Sequence, residues 1–167
     1  MQVFSQSLKM LAESVVRAAR DKKMRIVTAE SCTGGLIGAC LTEIPGASDV
    51  FDQGFIAYSN NSKMMYLGVS RRTILDCGSV SAEVALEMAE GALRASGADI
   101  AVSATGIAGP GGGTADKPAG TVYLGVALRE KGASHTLQNS FSGDRTEVRL
   151  KTVEAALTAL KKEIEGV

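Results

Sequence analysis

The sequence has little with which to hold nucleic acid. It contains no tryptophan, aromatic residues make up 4% of its 167 positions, and 18 lysines and arginines are balanced by 18 aspartates and glutamates. A non-specific nucleic-acid binder needs a basic excess to neutralise phosphates and aromatic rings on which bases can stack. The composition therefore predicts a protein that does not bind nucleic acid.

Metal-binding residue types are also scarce. The only histidine is His135, and the three cysteines, Cys32, Cys40 and Cys77, form no C-x-x-C pair. These residues exclude a histidine-rich zinc site and argue against a disulfide framework. A Ser-His-Asp triad would depend on one strand histidine, for which a structural or solvent-facing role is the simpler interpretation. We therefore expect neither a metal nor a cofactor.

Long apolar segments are missing as well. No run approaches the roughly 20 residues that a membrane-spanning helix needs, and the N-terminus lacks the apolar core and cleavage signal of a secretory leader. We expect a cytoplasmic protein with no membrane partner. A chain of 167 residues, 45% of them hydrophobic, is long enough for one domain, residues 1–167, with a core of its own.

Apolar spacing predicts helices that alternate with short strands, followed by two strands joined as a hairpin at Glu130-Lys131-Gly132. This order predicts a three-layer α/β/α sandwich around a mixed sheet of about five strands. Ligand sites in such sheets favour loops beyond the carboxyl ends of parallel strands. The predicted strands are residues 24–29, 50–58, 99–105, 121–128 and 134–141, and the predicted helices are residues 7–20, 33–44, 63–67, 71–77, 81–96 and 146–164.

A serine lies where the first predicted strand passes into a helix. Ser31 and Thr33 are followed by Gly34 and Gly35, and apolar residues at helical spacing begin at Leu36. Amides at a helix start can stabilise an oxyanion or a phosphate, so a hydroxyl here can be a nucleophile facing a pocket. A helix-capping hydroxyl followed by glycines that permit a tight turn explains the same pattern without catalysis.

A lysine can replace histidine as the base that activates a serine. Lys63 follows a polar turn and can point from a short helix into the same crevice. Its pKa must then fall, through burial or nearby positive charge, for it to be neutral near pH 7. A solvated surface lysine is the alternative. The hydroxyls of Tyr58 and Ser48 can relay or orient protons, although Tyr58 also fits as an ordinary strand aromatic.

The most glycine-dense stretch, residues 106–114, follows the third predicted strand. It lacks the Lys-Ser/Thr pair of a Walker A loop, and no Gly-x-Gly-x-x-Gly motif stands directly between a strand and a helix. Its amides can still hold a phosphate, and Arg145 at the entry of the last predicted helix can add a charged fork. A flexible connector and a helix-entry arginine beside Asp144 are the corresponding structural interpretations.

Several segments together resemble the CinA carboxy-terminal domain family, which includes the nicotinamide-nucleotide amidases. The resemblance runs in order over essentially the whole chain. It is carried by TAESCTGG at 28–35, PGAS at 45–48, YSN at 58–60 with Lys63, VS at 80–81 and TGIAGPGG at 105–112. Members of the family often carry an additional amino-terminal domain, and the resemblance implies a stand-alone amidase domain here.

The resemblance implies that nicotinamide mononucleotide is hydrolysed to nicotinic acid mononucleotide and ammonia, without metal or cofactor. It implies Ser31 as the nucleophile and Lys63 as the base, with Tyr58 and Ser48 in the surrounding hydrogen-bond network. We also expect a homo-oligomer, a dimer or a larger assembly. Contacts to the oxyanion or to the pyridine mononucleotide are expected from Thr33, Gly34, Gly35, Thr105, Gly106, Gly109, Gly111 and Arg145.

A function of a different class stays open at this stage. The chain can also be a non-catalytic nucleotide- or phosphate-binding module linked to competence or to the DNA-damage response. In that case Ser31 only caps a helix, and the glycine-dense loop is the ligand cradle. Ammonia release from nicotinamide mononucleotide without added metal separates the two functions.

Overall fold

The computed structural model describes residues 3–130 and 133–167. Within these residues no helix is long and apolar enough to cross a membrane. The strands are β1 (Ile26–Glu30), β2 (Phe51–Ile56), β3 (Ile100–Gly106), β4 (Thr121–Leu128) and β5 (Ser134–Ser140). The helices are α1 (Gln6–Asp21), α2 (Leu36–Thr42), α3 (Asn60–Leu67), α4 (Arg71–Cys77), α5 (Ala82–Ala95) and α6 (Arg145–Glu165), with a 3₁₀ turn at Ala47–Asp49.

The five strands form one mixed sheet in the order β2-β1-β3-β4-β5. Strand β1 pairs in parallel with both β2 and β3, whereas the pairs β3-β4 and β4-β5 are antiparallel. The predicted α/β class with a mixed five-stranded sheet is confirmed. The antiparallel β4-β5 pair agrees with the predicted hairpin, whose turn residues Lys131 and Gly132 lie outside the described residues.

Helices cover both faces of this sheet. Helices α1, α2 and α6 pack against one face, on strand residues such as Val102 and Leu124. Helices α3 and α5 pack against the other face, on strand residues such as Val27 and Ala101. Neighbouring residues of a strand point to opposite faces of the sheet, so each strand contributes side chains to both hydrophobic cores. Burial of these apolar side chains stabilises all three layers.

Helix α2 is shorter than the sequence predicts. It runs over Leu36–Thr42 instead of residues 33–44, and Gly34 and Gly35 precede it with φ of 60° and 97°. This left-handed backbone cannot continue into a right-handed helix, so the helix starts only after the second glycine. Residues 31–35 are therefore a loop at the carboxyl end of β1.

Candidate active site

A cavity of about 170 Å³ opens at the edge of the sheet where the parallel strands end. Loops after β1 and β2, helix α3, the loop before α5, the end of β3 and the start of α6 all contribute to it. It brings together six predicted site residues and four that were not predicted. The lining is Ser31, Cys32, Tyr58, Lys63, Ser79, Val80, Thr105, Gly106, Ala108 and Arg145.

Lys63 is almost completely buried, with 1% of its surface exposed. It lies on α3, whose start is fixed by a reciprocal capping box between Ser59 and Ser62. Its Nζ lies 2.7 Å from the Ser79 hydroxyl, 3.3 Å from the Thr105 hydroxyl and 3.4 Å from the Ser79 carbonyl. The alternative of a solvated surface lysine is therefore wrong.

The surroundings of Lys63 disfavour its charged form. Burial lowers its pKa from 10.5 to about 8, and the nearby Cys32 opposes this shift. No carboxylate of the described residues forms an ion pair with Lys63. The lysine therefore faces neutral oxygen atoms, and a sizeable fraction is the neutral amine near physiological pH.

Ser31 lines the same cavity and is 7% exposed. Its amide donates to the Ala104 carbonyl at 2.9 Å, which extends the pairing of β1 with β3 by one residue. No hydrogen bond joins Ser31 to Lys63 among the described residues, because the lysine Nζ turns to Ser79 and Thr105. The structure thus brings the predicted nucleophile and base into one cavity without direct contact between them.

The start of α2 is occupied by a buried carboxylate that the sequence analysis missed. Glu30 accepts hydrogen bonds from the amides of Gly35, Ile37 and Gly38 at 2.9–3.0 Å. A carboxylate that follows a buried strand and precedes a glycine turn is the signal that could have revealed it. The positive end of α2 is therefore neutralised by the chain itself and is not open to a ligand.

Two of the predicted oxyanion donors, Gly34 and Gly35, need correction because their amides already donate to other groups of the chain. The Gly35 amide donates to Glu30, and the Gly34 amide donates to the Ser31 carbonyl at 3.1 Å. Neither glycine amide is left for a ligand. In the described part of the chain, the amides of Cys32 and Thr33 donate to no other residue. Cys32 lines the cavity, whereas Thr33 is fully buried and outside the lining, so the Cys32 amide is the donor that remains at the cavity.

Helix α6 contacts the loop of residues 31–35 through one arginine side chain. The Arg149 guanidinium donates to the Cys32 carbonyl at 3.1 Å and to the Thr33 carbonyl at 3.0 Å. Because both carbonyls are fixed, the peptide planes that carry the neighbouring amides are also fixed. Arg149 was not predicted, since one arginine on an amphipathic helix gives no signal in the sequence.

Cys32 is a second nucleophilic atom in the lining. Its side chain is buried, and desolvation raises the pKa of its thiol to about 11, against the opposing effects of its own amide, Lys63 and Arg149. A thiol with this pKa stays protonated at neutral pH and is a poor nucleophile.

Arg145 connects the first cavity to a second one. Its guanidinium donates to the Gly109 carbonyl at 2.9 Å and to the Tyr58 hydroxyl at 3.2 Å. The second cavity measures about 450 Å³, shares Ala108 and Arg145 with the first, and also contains Gly109 and Pro110 in its lining. Tyr58 is 62% exposed, and its hydroxyl accepts the hydrogen bond from Arg145.

The glycine-dense loop contributes unequally to this site. Gly106 lines the first cavity and Gly109 the second, but Gly111 is in neither lining, and a Cβ added to it would meet nothing within 4 Å. At Gly106 a Cβ would meet Val122 and the Thr121 carbonyl, so the close pairing of β3 with β4 already requires a glycine there. The predicted substrate contact from Gly111 therefore stays a prediction.

Ser48 is also absent from the site. It is exposed in the 3₁₀ turn Ala47–Asp49, immediately before β2. Strands β1 and β2 are parallel, so a residue that precedes β2 lies at the amino edge of the sheet, while Ser31 follows β1 at the carboxyl edge. The predicted place of Ser48 in the hydrogen-bond network around Lys63 is taken by Ser79.

The described residues contain no group of three or more His, Cys, Asp or Glu side chains that could hold a metal ion. Of the charged residues, Lys63 and Arg145 line the first cavity, and the buried Glu30 points into α2. The lining offers four hydroxyls (Ser31, Tyr58, Ser79 and Thr105), a neutralisable amine and an arginine, which suits acyl transfer on a neutral carbonyl group in a molecule that also carries negative charge.

A CinA C-terminal domain model matches residues 8–164. The chain belongs to the CinA C-terminal domain family. A putative competence-damage inducible protein of Caldicellulosiruptor bescii is 48% identical over 162 residues, which cover 97% of this chain and 39% of that protein. A CinA-like protein of Chlorobium phaeobacteroides is 52% identical over 159 residues, which cover 93% and 38%. The chain thus spans about two fifths of the length of these curated relatives.

Solved CinA structures share the fold of this chain. The competence/damage inducible protein CihA from Agrobacterium tumefaciens is 43% identical, with a TM-score of 0.94 over 99% of both chains. The competence damage-inducible protein A (ComA) from Klebsiella pneumoniae is 36% identical, with a TM-score of 0.90 over 95% of this chain and 97% of that one. These names refer to competence and damage, and state no reaction.

Proposed function

We propose that this CinA domain is an amidohydrolase that converts nicotinamide mononucleotide to nicotinic acid mononucleotide and ammonia. Ser31 is the nucleophile and Lys63 the base, an acyl-enzyme forms on Ser31, and no metal takes part. One observation carries the proposal. A buried lysine without a carboxylate partner shares a small cavity with a buried serine.

The lowered pKa of Lys63 is what makes it usable as a base. With a pKa of about 8, roughly a tenth of Lys63 is neutral at pH 7, about 300-fold more than for a lysine with its ordinary pKa of 10.5. Because the neutral amine is the active form, kcat/KM rises about tenfold per pH unit below pH 8 and levels off above it.

The reaction then follows in two halves. As Ser31 Oγ attacks the carboxamide carbon, its proton passes to Lys63, and the amide of Cys32 is the loop donor available to the oxyanion. The ammonium of Lys63 returns the proton to the departing nitrogen, and ammonia leaves. Neutral Lys63 next takes a proton from water as the water oxygen attacks the acyl carbon, and it passes that proton to Ser31 Oγ as the ester bond breaks, which restores both residues.

The phosphate of the nucleotide needs a positive partner at some distance from Ser31. The start of α2 is capped by Glu30 and that of α6 by Asp144, which accepts from the Glu147 amide. Neither helix end is therefore free for an anion. Arg145, between the two cavities, is the charged donor that remains, and its binding energy can position the carboxamide against Ser31.

Ammonia release from nicotinamide mononucleotide by the purified chain tests the proposal. We expect release in the presence of a chelator, together with an equal amount of nicotinic acid mononucleotide. Ser31→Ala and Lys63→Ala should each remove it. Ser134→Ala changes an exposed serine on β5 that bonds to Glu90, and serves as the matched control. Release that persists in Ser31→Ala, or that needs a divalent ion, contradicts the proposal.

The second candidate is a nucleotide-binding module without catalysis. It is favoured by one observation, namely that Lys63 bonds to Ser79 and Thr105 and not to Ser31. Calorimetry with nicotinamide mononucleotide distinguishes the two functions. Binding by the unmodified chain that is followed by no ammonia release over hours supports the module, whereas heat of turnover supports the amidase.

A further inference from the structure

The hydroxyl nearest to the lysine belongs to Ser79. Its Oγ lies 2.7 Å from Lys63 Nζ, which is the distance expected between a nucleophile or proton carrier and its base. Ser79 is partly exposed and lines the same cavity as Ser31. The cavity thus holds two serines beside one lysine, and the lysine contacts only one of them.

Lys63 donates hydrogen bonds to three oxygen atoms, namely the Ser79 hydroxyl, the Thr105 hydroxyl and the Ser79 carbonyl, which matches the three N–H groups of its ammonium form. The Thr105 hydroxyl donates to the Ser79 carbonyl at 2.9 Å, so its own lone pair is free to accept from Lys63 at 3.3 Å. A second N–H of Lys63 points to the Ser79 carbonyl at 3.4 Å. When Lys63 loses a proton it keeps two N–H groups and gains a lone pair, and the Ser79 hydroxyl, its nearest oxygen at 2.7 Å, is then the group that can turn its own proton towards that lone pair.

We propose that Ser79 is a further catalytic residue, which carries the proton between Ser31 and Lys63. The inference rests on the proposed amidase function. It accounts for a base that shares a cavity with the nucleophile but forms its hydrogen bonds with Ser79 and Thr105. With its proton held by Lys63, the Ser79 oxygen presents lone pairs that can accept the Ser31 proton.

The proton balance is simple in the first half-reaction. The O–H bond of Ser31 breaks as its oxygen bonds to the carboxamide carbon, and that proton moves to Ser79 Oγ. The original proton of Ser79 moves to Lys63 Nζ, which becomes an ammonium. The same two transfers in reverse deliver a proton to the departing nitrogen when the C–N bond breaks, so Ser79 and Lys63 end as they began.

The backbone around Ser79 is held as a proton relay requires. The Lys117 ammonium donates to the carbonyls of Cys77 at 2.9 Å and Val80 at 2.6 Å, one on each side of Ser79. Ser81 caps α5 and donates to the Gly78 carbonyl at 2.9 Å. A side chain on a fixed backbone keeps its hydroxyl at a constant distance from the base, and such preorganisation favours proton transfer.

Three variants test the relay with nicotinamide mononucleotide as substrate. We expect Ser79→Ala to lower kcat about 100- to 1000-fold with KM within about threefold of the unmodified chain, as for loss of one proton-transfer group. Ser79→Thr keeps a hydroxyl and should recover at least tenfold of that loss. Ser134→Ala is the control for removal of a serine hydroxyl. A Ser79→Ala variant within threefold of the unmodified kcat, or a Ser79→Thr variant no better than Ser79→Ala at equal melting temperature, overturns the relay.

A fluorophosphonate probe separates failure of the relay from failure of the proposed reaction. The probe reacts with an activated serine, loses fluoride and needs no pyridine nucleotide, and peptide mass spectrometry locates the adduct. We expect the adduct on Ser31, forming at least 100-fold more slowly in Ser79→Ala. This result without nucleotide hydrolysis supports the relay and contradicts only the substrate. An adduct on Ser79, an unchanged labelling rate in Ser79→Ala, or no labelling of the unmodified chain overturns the relay.

Discussion

The two sides of the cavity that Ser31 and Lys63 line differ in whether their buried charges are compensated. On the serine side, residues 30–36, the Glu30 carboxylate accepts three amides and the Arg149 guanidinium donates to two carbonyls. On the lysine side, formed by Lys63, Ser79 and Thr105, an ionisable amine is buried against neutral oxygens only. Both sides are well packed, but only one has its charge compensated.

This difference separates scaffold from chemistry. A buried charge that is fully hydrogen-bonded, such as Glu30 at a helix start, holds the backbone in place and resists change of its protonation state. A buried lysine without an acidic partner costs stability while charged and gives up its proton readily. Under the proposed function, the serine side positions atoms and the lysine side moves protons.

Removing either member of the proposed pair should have the largest effect. We expect Ser31→Ala and Lys63→Ala each to lower the rate of ammonia release by at least about 1000-fold while the fold is kept, because each is needed for the same step. The double variant should be hardly slower than either single one. Rate losses that multiply in the double variant would show that the two residues act independently, and circular dichroism verifies the fold.

Because the charge of Lys63 is uncompensated, replacement of Lys63 by an uncharged residue should stabilise the fold. The folded-state pKa of about 8 lies below the unfolded value of 10.5, so the unfolded chain binds the extra proton between these pH values and the stability of the unmodified chain rises across that window. We expect the free energy of unfolding of Lys63→Met at pH 7 to exceed that of the unmodified chain by up to about 3 kcal/mol, which corresponds to the pKa difference of about 2.5.

Denaturant titrations at pH 7, 9 and 10.5 measure this effect. The advantage of Lys63→Met should shrink steadily above pH 8 and vanish near pH 10.5. Lys161→Met removes a lysine whose side chain is 38% exposed on α6 and serves as the control for loss of a charge. A Lys63→Met variant that is less stable at every pH would mean that the hydrogen bonds to Ser79 and Thr105 outweigh the cost of burial.

Arg145 should come next, and its effect should depend on the substrate. We expect Arg145→Ala to lower kcat/KM for nicotinamide mononucleotide. The corresponding loss of transition-state stabilisation should be about 1.5–3 kcal/mol, as for the loss of one charged hydrogen-bonding partner. Nicotinamide riboside lacks the phosphate and should be much less affected. Equal losses for both substrates would mean that Arg145 supports the glycine loop and Tyr58, its two hydrogen-bond partners, and does not bind the phosphate.

The sequence predicts the fold better than it predicts the side-chain partners. Strands and helices are local features, so hydrophobic periodicity is enough to predict five strands and the edge where Ser31 and Lys63 meet. The partners of Lys63 depend on the loop before α5, which no periodicity describes. The role of Glu30 was missed because an acidic residue at a strand end was not connected with amides five to eight positions later.

Cys32 should matter little to the rate although it lines the cavity. The pKa of its thiol, raised by burial to about 11, keeps it protonated at pH 7. We therefore expect Cys32→Ala to retain at least about a third of the kcat, with a modest loss of stability from the small cavity that it leaves. If Cys32→Ala is inactive while Ser31→Ala still turns over, the nucleophile is Cys32.

Ser48 should have the smallest effect of all. It precedes β2 and Ser31 follows the parallel β1, so the six residues of β2 separate it from the cavity by about 20 Å at 3.3 Å per residue. We expect Ser48→Ala to change kcat and KM by less than twofold.

A large loss at normal stability could not come from within one chain, because no side chain spans that distance. It would mean that Ser48 reaches the site of a second copy, and dilution of the enzyme below the dissociation constant of that assembly should then abolish activity in the unmodified chain as well.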